Sequence, residues 1–239
     1  MPGAFVLNGV LTAAECARLR RASEALGYTP DHPVGKEAPS GIGAVEWLAD
    51  DALVAEVYAR CRAALPPQLR GGDVVGLNAC WRCFRYSDTP GAVYRPHIDG
   101  SWPGAGLDAR TGAFLMDAHG DRRSRLTFLM YLNDDFDGGA TTFYVPSAGA
   151  AGLSAYGVQP RIGTVLCFPQ GNLASLVHEG SAVTRGFKCV IRTDVLYSLP
   201  PAELAARAAT VRPPAARPAP PPAAPRPRPG DDDTPLGCV

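Results

Sequence analysis

The residues with the clearest chemical potential are His97-Ile98-Asp99 and, far downstream, His178. In a β-strand, residues i and i+2 project to the same face, so the imidazole of His97 and the carboxylate of Asp99 would share one space. A second imidazole from another strand would complete a three-ligand face and leave the opposite coordination positions open. Two histidines and one carboxylate in this arrangement are typical of non-haem Fe(II) sites. We therefore predict a metal site at His97, Asp99 and His178.

Lys188 follows His178 by ten residues, far enough for the chain to cross a turn and return on the next strand. A fixed cation at that position would suit the distal carboxylate of a dicarboxylic co-substrate. Arg192 lies two pleats further along the same strand and could replace or assist Lys188. The sequence leaves open which of the two cations has this role.

A second pattern of the same type, His119-Gly120-Asp121, shows that H-x-D alone is a weak signal. The surroundings favour His97, because Pro96 biases the preceding residue towards extended structure. His119 lies in a polar stretch interrupted by glycine, which is typical of a loop. The remaining histidine, His32, lies in a turn-rich segment.

The N-terminal part of the chain has helical patterns, and the part after Val74 has β patterns. Thr12 and Glu15 form a capping box before a helix with apolar spacing at Cys16, Leu19, Ala22 and Leu26. A second helix is predicted over 51–65, ended by Pro66-Pro67. The predicted strands cover 74–86, 92–98, 125–132, 140–145, 163–168, 173–178 and 188–197. Short strands at regular spacing indicate a sandwich or barrel rather than βαβ units.

The last predicted strand has two different faces. Lys188, Val190, Arg192 and Asp194 share one face, whereas the other is apolar. Three charges are more than a dry core tolerates, so the charged face either lines a polar pocket or faces water on an edge strand. The alternation of residues alone does not decide between these two interpretations.

Composition excludes several classes of protein. Hydrophobic residues make up 46% of the 239 residues, as in a soluble globular protein, and the formal net charge is zero, which favours neither nucleic acid nor an anionic membrane as partner. No apolar run has the length of a membrane span, and the N-terminus lacks the pattern of a signal peptide. Seven scattered cysteines indicate reduced thiols. We therefore expect a cytoplasmic protein.

The chain resembles the Fe(II)- and 2-oxoglutarate-dependent dioxygenases of the prolyl 4-hydroxylase type over most of residues 5–197. The resemblance rests on Phe84-Arg85-Tyr86, Tyr94-Arg95-Pro96-His97-Ile98-Asp99, Leu126-Thr127-Phe128-Leu129-Met130-Tyr131-Leu132-Asn133, Gly138-Gly139-Ala140-Thr141, Gly163-Thr164-Val165-Leu166-Cys167-Phe168-Pro169, His178-Glu179-Gly180, Gly186 and Lys188. It implies iron ligands at His97, Asp99 and His178, and 2-oxoglutarate contacts at Lys188, Tyr86 and Thr141. It also implies ascorbate as a reductant and dioxygen as a co-substrate.

The fold expected from the pattern and the resemblance is mostly β with flanking helices. A double-stranded β-helix core (jelly-roll, cupin-like) would cover about 74–198, with the N-terminal helices packed outside, in a dioxygenase domain of residues 1–200. The chain departs from the family by an insertion at 100–123 and by Ser124, which stands where the family often carries arginine. Both departures fall where substrate would bind.

The segment 201–239 is rich in proline, alanine and arginine, and we predict a disordered tail, although 202–210 could form one short helix. Its Pro-Pro-Pro run could bind a domain that recognises polyproline II structure. The insertion at 100–123 carries Trp102, Leu107, Phe114 and Met116 among glycines, and we expect it to form the substrate gate.

The predicted activity is hydroxylation of a C–H bond, with decarboxylation of 2-oxoglutarate to succinate. The sequence leaves a peptidyl proline, another side chain, a nucleobase or a small molecule open as the substrate. The neutral net charge argues against nucleic acid, and no nucleic-acid or membrane partner is expected. Two alternatives from other classes remain. One is a catalytically silent cupin-type binding module, which would have a pocket filled by side chains. The other is a metal enzyme such as a cupin isomerase or zinc hydrolase, which usually has more histidines.

Overall fold

A computed structural model of the protein describes residues 3–32, 36–37, 41–90, 92–147, 152–171 and 176–210, and at 31, 32, 36, 37 and 210 it describes the backbone alone. Its helices are α1 (Ala13–Leu26), α2 (Asp51–Cys61) and α3 (Pro201–Thr210), with a 3-10 turn at Arg62–Ala64. Its strands are β1 (Phe5–Leu7), β2 (Asp31–His32), β3 (Lys36–Glu37), β4 (Ile42–Leu48), β5 (Gln68–Leu69), β6 (Gly72–Leu77), β7 (Cys80–Ser87), β8 (Tyr94–His97), β9 (Gly106–Leu107), β10 (Phe114–Leu115), β11 (Arg122–Tyr131), β12 (Asp137–Gly138), β13 (Thr141–Pro146), β14 (Leu153–Val158), β15 (Val165–Pro169), β16 (Val177–Gly180), β17 (Val183–Arg185) and β18 (Phe187–Ser198).

Two antiparallel sheets form the body of the fold. The larger sheet has the order β1-β15-β11-β18-β6-β5, and β7 pairs with β18 beside β6 and carries β4 on its other edge. The smaller sheet has the order β14-β13-β16-β8. The two sheets enclose a cavity between them, lined by side chains from both. This is the predicted jelly-roll core.

The larger sheet has an apolar core on each of its faces. One core contains the buried residues of α1 and α2 together with the outward residues of the sheet, among them Cys83, Phe128 and Ile191. The other contains inward residues of both sheets, among them Phe84, Val190 and Phe143. The predicted outer position of the N-terminal helices is therefore correct.

Helix α1 begins at the predicted capping box. The Glu15 amide donates to the Thr12 hydroxyl at 3.2 Å, and the Thr12 amide donates to the Glu15 carboxylate at 2.7 Å. The predicted apolar face is wrong in its second half, because Ser23 is buried whereas Ala22 and Leu26 are exposed. The Ser23 hydroxyl can be buried because it donates to the Leu19 carbonyl at 3.0 Å.

Several strand limits differ from the prediction. The run 74–86 is two strands, β6 and β7, because the Asn78 side chain interrupts the ladder and accepts hydrogen bonds from the amides of Cys80 and Ala105. Strands β1, β4 and β14 were not predicted. The run 173–178 is described only from residue 176, and β16 starts at Val177.

The predicted helix near the C-terminus is α3. Its Glu203 carboxylate accepts two hydrogen bonds from Arg125 at 3.0 and 2.9 Å, and Arg207 forms an ion pair with Asp117. The segment predicted as a disordered tail from residue 201 therefore begins with a helix, which these ion pairs hold to the rest of the fold. Residues 211–239, including the Pro-Pro-Pro run, lie outside the described residues.

Six cysteines lie in the described ranges, and all six are buried free thiols. None of the described helices has the length and apolar character needed to cross a membrane.

Candidate active site

The three predicted metal ligands converge in the smaller sheet. His97 ends β8 and pairs directly with His178 of the neighbouring strand β16. Asp99 lies two residues past the end of β8, not within the strand as its spacing suggested. Ligand atoms of the three residues all lie within 4.8 Å of one another. Within the described residues this is the one such group of histidine, cysteine and acidic side chains.

Both histidines present the same ring nitrogen to the shared space. The Nδ1 atoms of His97 and His178 lie 2.8 and 3.0 Å from the carbonyls of Arg95 and Leu176. Because a carbonyl only accepts, each Nδ1 carries the proton, and each Nε2 keeps its lone pair in the neutral ring. The two Nε2 atoms lie 3.5 and 3.7 Å from the oxygens of Asp99. Burial lowers the pKa of His178, which keeps this ring neutral.

Asp99 is buried and has partners on both oxygens. Thr127 donates to its Oδ2 at 2.6 Å, and Arg192 Nη1 lies 3.1 Å from its Oδ1. Burial alone would raise the pKa of Asp99, but the positive charge of Arg192 outweighs burial and holds this pKa well below its usual range. Asp99 is therefore an ionised carboxylate.

This donor set fits a divalent iron ion. Two imidazole nitrogens and one carboxylate lie within 4.8 Å of one another, and all three side chains line the same cavity. Such a three-ligand face leaves room for a chelating co-substrate and for dioxygen, which is typical of non-haem Fe(II) sites. The hydrogen bonds from Nδ1 to backbone carbonyls fix the rings, as is usual for metal-binding histidines.

The cavity that contains the ligands also contains the other predicted site residues. Its volume is about 40 Å³. The lining residues come from both sheets: Phe84, Tyr86, Tyr94, His97, Asp99, Thr127, Leu129, Thr141, Phe168, His178, Glu179, Gly180, Lys188, Val190 and Arg192. Lys188, Val190 and Arg192 thus face the pocket rather than open solvent, which decides between the two interpretations of the last strand.

Lys188 is a buried cation that no carboxylate of the described residues pairs with. It is 1% exposed, donates to the Gly139 carbonyl at 2.8 Å, and lies 4.1 Å from the centre of the Tyr86 ring. Burial lowers the pKa of Lys188 to about 7. A dianionic co-substrate would provide the missing counter-charge at this end of the pocket.

Thr141 and Tyr86 border the same end of the cavity. The hydroxyls of Thr141 and Tyr131 lie 2.8 Å apart, and burial raises the pKa of Tyr131, so its phenol stays protonated. Tyr131 was not predicted as a site residue. It could have been, because Thr127, Leu129 and Tyr131 alternate along β11 and therefore face the same side.

Arg192 lies at the metal end of the pocket and not beside Gly139. It is shared between Asp99 and Asp194, whose Oδ1 lies 3.7 Å from Arg192 Nη2. Its charge is already balanced by these two carboxylates, whereas that of Lys188 is not.

The alternative histidines are not part of this site. His119 is exposed, and Asp121 beside it forms an ion pair with Arg122. The side chain of His32 lies outside the described residues. Trp81 is fully buried in the core.

The insertion at 100–123 is a hydrogen-bonded hairpin, since β9 pairs with β10 and the Ala118 amide donates to the Gly104 carbonyl at 2.8 Å. Its base is bound to β11 through Ser124, and its tip exposes Leu107, Phe114 and Met116. None of its residues from 100 to 123 lines the metal cavity among the described residues. Trp102 stacks on Arg82 instead, with 5.1 Å between the guanidinium and the ring centre.

A two-sheet jelly roll with two histidines, one carboxylate and a buried lysine in its cavity is an arrangement typical of non-haem iron oxygenases. The sequence family described as the 2OG-Fe(II) oxygenase superfamily matches residues 81–193, which include all these side chains. This match supports the assignment of the chain as a 2-oxoglutarate-dependent dioxygenase. A search of curated protein sequences found no match.

Solved structures with a similar fold include three prolyl hydroxylases. A viral collagen prolyl hydroxylase from Paramecium bursaria chlorella virus-1, in complex with 2-oxoglutarate, is 17% identical with a TM-score of 0.53, covering 82% of this chain and 96% of its own. A Trichoplax adhaerens prolyl hydroxylase bound to a hypoxia-inducible-factor peptide is 16% identical with a TM-score of 0.55, covering 85% and 86%. A Pseudomonas putida prolyl-4-hydroxylase is 17% identical with a TM-score of 0.50, covering 81% and 91%.

Proposed function

We propose that His97, Asp99 and His178 hold the Fe(II) ion and that Lys188 holds the distal carboxylate of 2-oxoglutarate. The observation that carries this proposal is that one cavity contains the three converging donors and a buried lysine without a carboxylate partner in the described residues. Bound iron would supply the redox chemistry that couples decarboxylation of 2-oxoglutarate to hydroxylation of a C–H bond.

The chain's own residues position the reactants. Lys188 and the hydroxyls of Thr141 and Tyr131 bind the far end of the co-substrate, and the Tyr86 ring forms the wall beside Lys188. Phe84, Leu129 and Phe168 give the cavity apolar walls that exclude water during the reaction. Arg192 stays with Asp99 and Asp194, so Lys188 rather than Arg192 is the co-substrate cation.

For the substrate we propose a prolyl residue of a peptide. The support is the fold shared with prolyl hydroxylases, one of which binds a peptide. Ascorbate as the reductant and a cytoplasmic location rest on the resemblance and on the composition of the chain. We further propose that residues 1–200 form the catalytic domain and that the segment after residue 210 is dispensable for chemistry.

The test is succinate formation by the purified full-length chain with Fe(II), 2-oxoglutarate and a panel of proline-containing peptides and metabolites. We expect turnover that rises with a proline peptide and a product 16 Da heavier by mass spectrometry, the mass of one oxygen atom. His178→Ala should abolish turnover, and His119→Ala, the histidine of the other H-x-D pattern, should not. Turnover that survives His178→Ala would refute the ligand assignment. If a metabolite stimulates turnover and none of the peptides does, the prolyl substrate is refuted but the ligand assignment is not.

A further inference from the structure

A chain of buried polar side chains runs from Asp99 to the base of the insertion. Thr127 donates to Asp99 Oδ2 at 2.6 Å, Gln170 Nε2 donates to the Thr127 hydroxyl at 2.9 Å, and Ser124 donates to Gln170 Oε1 at 2.6 Å. The Trp102 amide donates to the Ser124 hydroxyl at 2.8 Å. Thr127, Gln170 and Ser124, which we call the Asp99 relay, are at most 1% exposed.

The direction of every hydrogen bond in the relay is determined. The Thr127 hydroxyl donates its one proton to Asp99 Oδ2, so it keeps only lone pairs for Gln170. The amide nitrogen of Gln170 must therefore face Thr127, and its oxygen must face Ser124. The hydroxyl of Ser124 then has only lone pairs left for the Trp102 amide, which is fixed in the backbone.

A second branch closes the network on the other side of Asp99. Gln170 Nε2 also donates to Asp194 Oδ1 at 2.5 Å, and Arg192 joins Asp194 to Asp99. Both protons of the Gln170 amide are thus used. Asp99 is held on Oδ2 by a neutral hydroxyl and on Oδ1 by a cation. Because Thr127 and Gln170 are buried and hydrogen-bonded, the carboxylate has few alternative orientations.

We propose that Thr127 and Gln170 are positioning residues that orient the Asp99 carboxylate towards the two histidine Nε2 atoms. This inference rests on the proposed role of Asp99 as a metal ligand and adds the residues that set its geometry. Gln170 directly follows β15, Thr127 lies in β11 and Asp99 lies two residues past the end of β8. The relay therefore joins segments that are far apart in the sequence. Asp99 lies beyond β8 and lacks the support of a strand, which is why it needs side-chain partners.

The experiment measures metal binding by the full-length chain, with Mn(II) titrated calorimetrically and Co(II) followed by its visible absorption. Thr127→Val keeps the shape of the side chain but removes the donor, and we expect roughly 10- to 100-fold weaker Mn(II) binding, the usual range for partners of metal ligands. The Co(II) spectrum should change because the carboxylate loses its partner on Oδ2 and is then held only by Arg192 on Oδ1. Thr127→Ser, which restores the hydroxyl, should restore both readouts. Gln170→Leu should act in the same direction as Thr127→Val.

Thr193→Val is the matched control, since Thr193 is equally buried and donates 2.8 Å to the Asn78 carbonyl without touching Asp99. It should bind Mn(II) like the wild type. Wild-type affinity and spectrum in Thr127→Val, or equal losses in Thr193→Val, would overturn the inference. If Gln170→Leu does not fold, the comparison of Thr127→Val with Thr127→Ser tests the inference. Mn(II) binding by the wild type that His178→Ala leaves unchanged would instead overturn the proposed function itself.

Discussion

Replacing Lys188 by methionine removes the buried charge and keeps an unbranched side chain of similar length. The structure predicts that this change weakens co-substrate binding and stabilises the protein without co-substrate. The variant should lose affinity for 2-oxoglutarate, because the co-substrate's distal carboxylate would enter a buried site without a cation. It should also be more stable than the wild type without co-substrate, because the ammonium of Lys188 has no carboxylate partner in the described residues.

The size of the stability effect follows from the pKa of Lys188. Burial lowers this pKa from 10.5 to about 7. Since each unit corresponds to about 1.4 kcal/mol, the charged lysine costs the fold on the order of 5 kcal/mol, from which the hydrogen bond to Gly139 subtracts about 1 kcal/mol. The unfolded chain binds the extra proton between pH 7 and 10.5, so stability rises with pH in that window. The full cost applies below pH 7.

The assay is urea unfolding of wild type and Lys188→Met at pH 6.5 and pH 10, without 2-oxoglutarate. We expect the variant to be more stable by a few kcal/mol at pH 6.5 and the difference to shrink at pH 10. The KM for 2-oxoglutarate should rise at least about 100-fold, because truncating one partner of a buried charge pair costs about 3–5 kcal/mol, while Mn(II) affinity should not change. A variant that is less stable at pH 6.5 with an unchanged KM would refute the reasoning and point to Arg192.

Arg192→Met provides the contrast, because Arg192 lies on the same face of β18 but is paired with Asp99 and Asp194. It should destabilise the fold by about 3–5 kcal/mol, since it leaves buried carboxylates without their cation, as urea unfolding would show. His178→Ala should lose Mn(II) binding by calorimetry while its circular dichroism stays that of the wild type. Deleting 211–239 should leave succinate formation coupled to substrate hydroxylation. Loss of hydroxylation in this variant would mean that the tail contributes to substrate binding, contrary to the proposal. Replacing 106–116 by a short turn between Ala105 and Asp117 removes the exposed apolar tip with Leu107, Phe114 and Met116. If this tip is the expected substrate gate, its loss should uncouple 2-oxoglutarate consumption from hydroxylation, measured as the ratio of succinate to hydroxylated product.

The sequence was sufficient to identify three candidate metal ligands that the fold brings together, because their chemistry and local context are both specific. His97 and Asp99 are two residues apart, and the Pro96 beside them excludes a helix. The jelly roll followed from short strands at regular spacing after Val74. What spacing could not show is that Asp99 lies past the end of its strand, so its orientation depends on Thr127, which is 28 residues away in the chain.

Strand limits and loops were harder to predict because long-range contacts decide them. Strands β4 and β14 lie at sheet edges, and burial there is incomplete, so their alternation is weak. The insertion at 100–123 has glycines that suggested a flexible lid. Its base is instead fixed by hydrogen bonds to Ser124 and Asn78, partners that no local pattern indicates.

The choice between Lys188 and Arg192 shows where periodicity stops being informative. Both cations have the same parity in β18 and both line the cavity, so alternation treats them as equivalent. The difference lies in the strands opposite them. Lys188 pairs with Tyr86 of β7 and reaches the Gly139 carbonyl, whereas Arg192 reaches the carboxylate of Asp99. Arg192 is already neutralised by Asp99 and Asp194, whereas Lys188 has no carboxylate partner in the described residues, and this difference in charge balance supports the proposal that Lys188 binds the co-substrate.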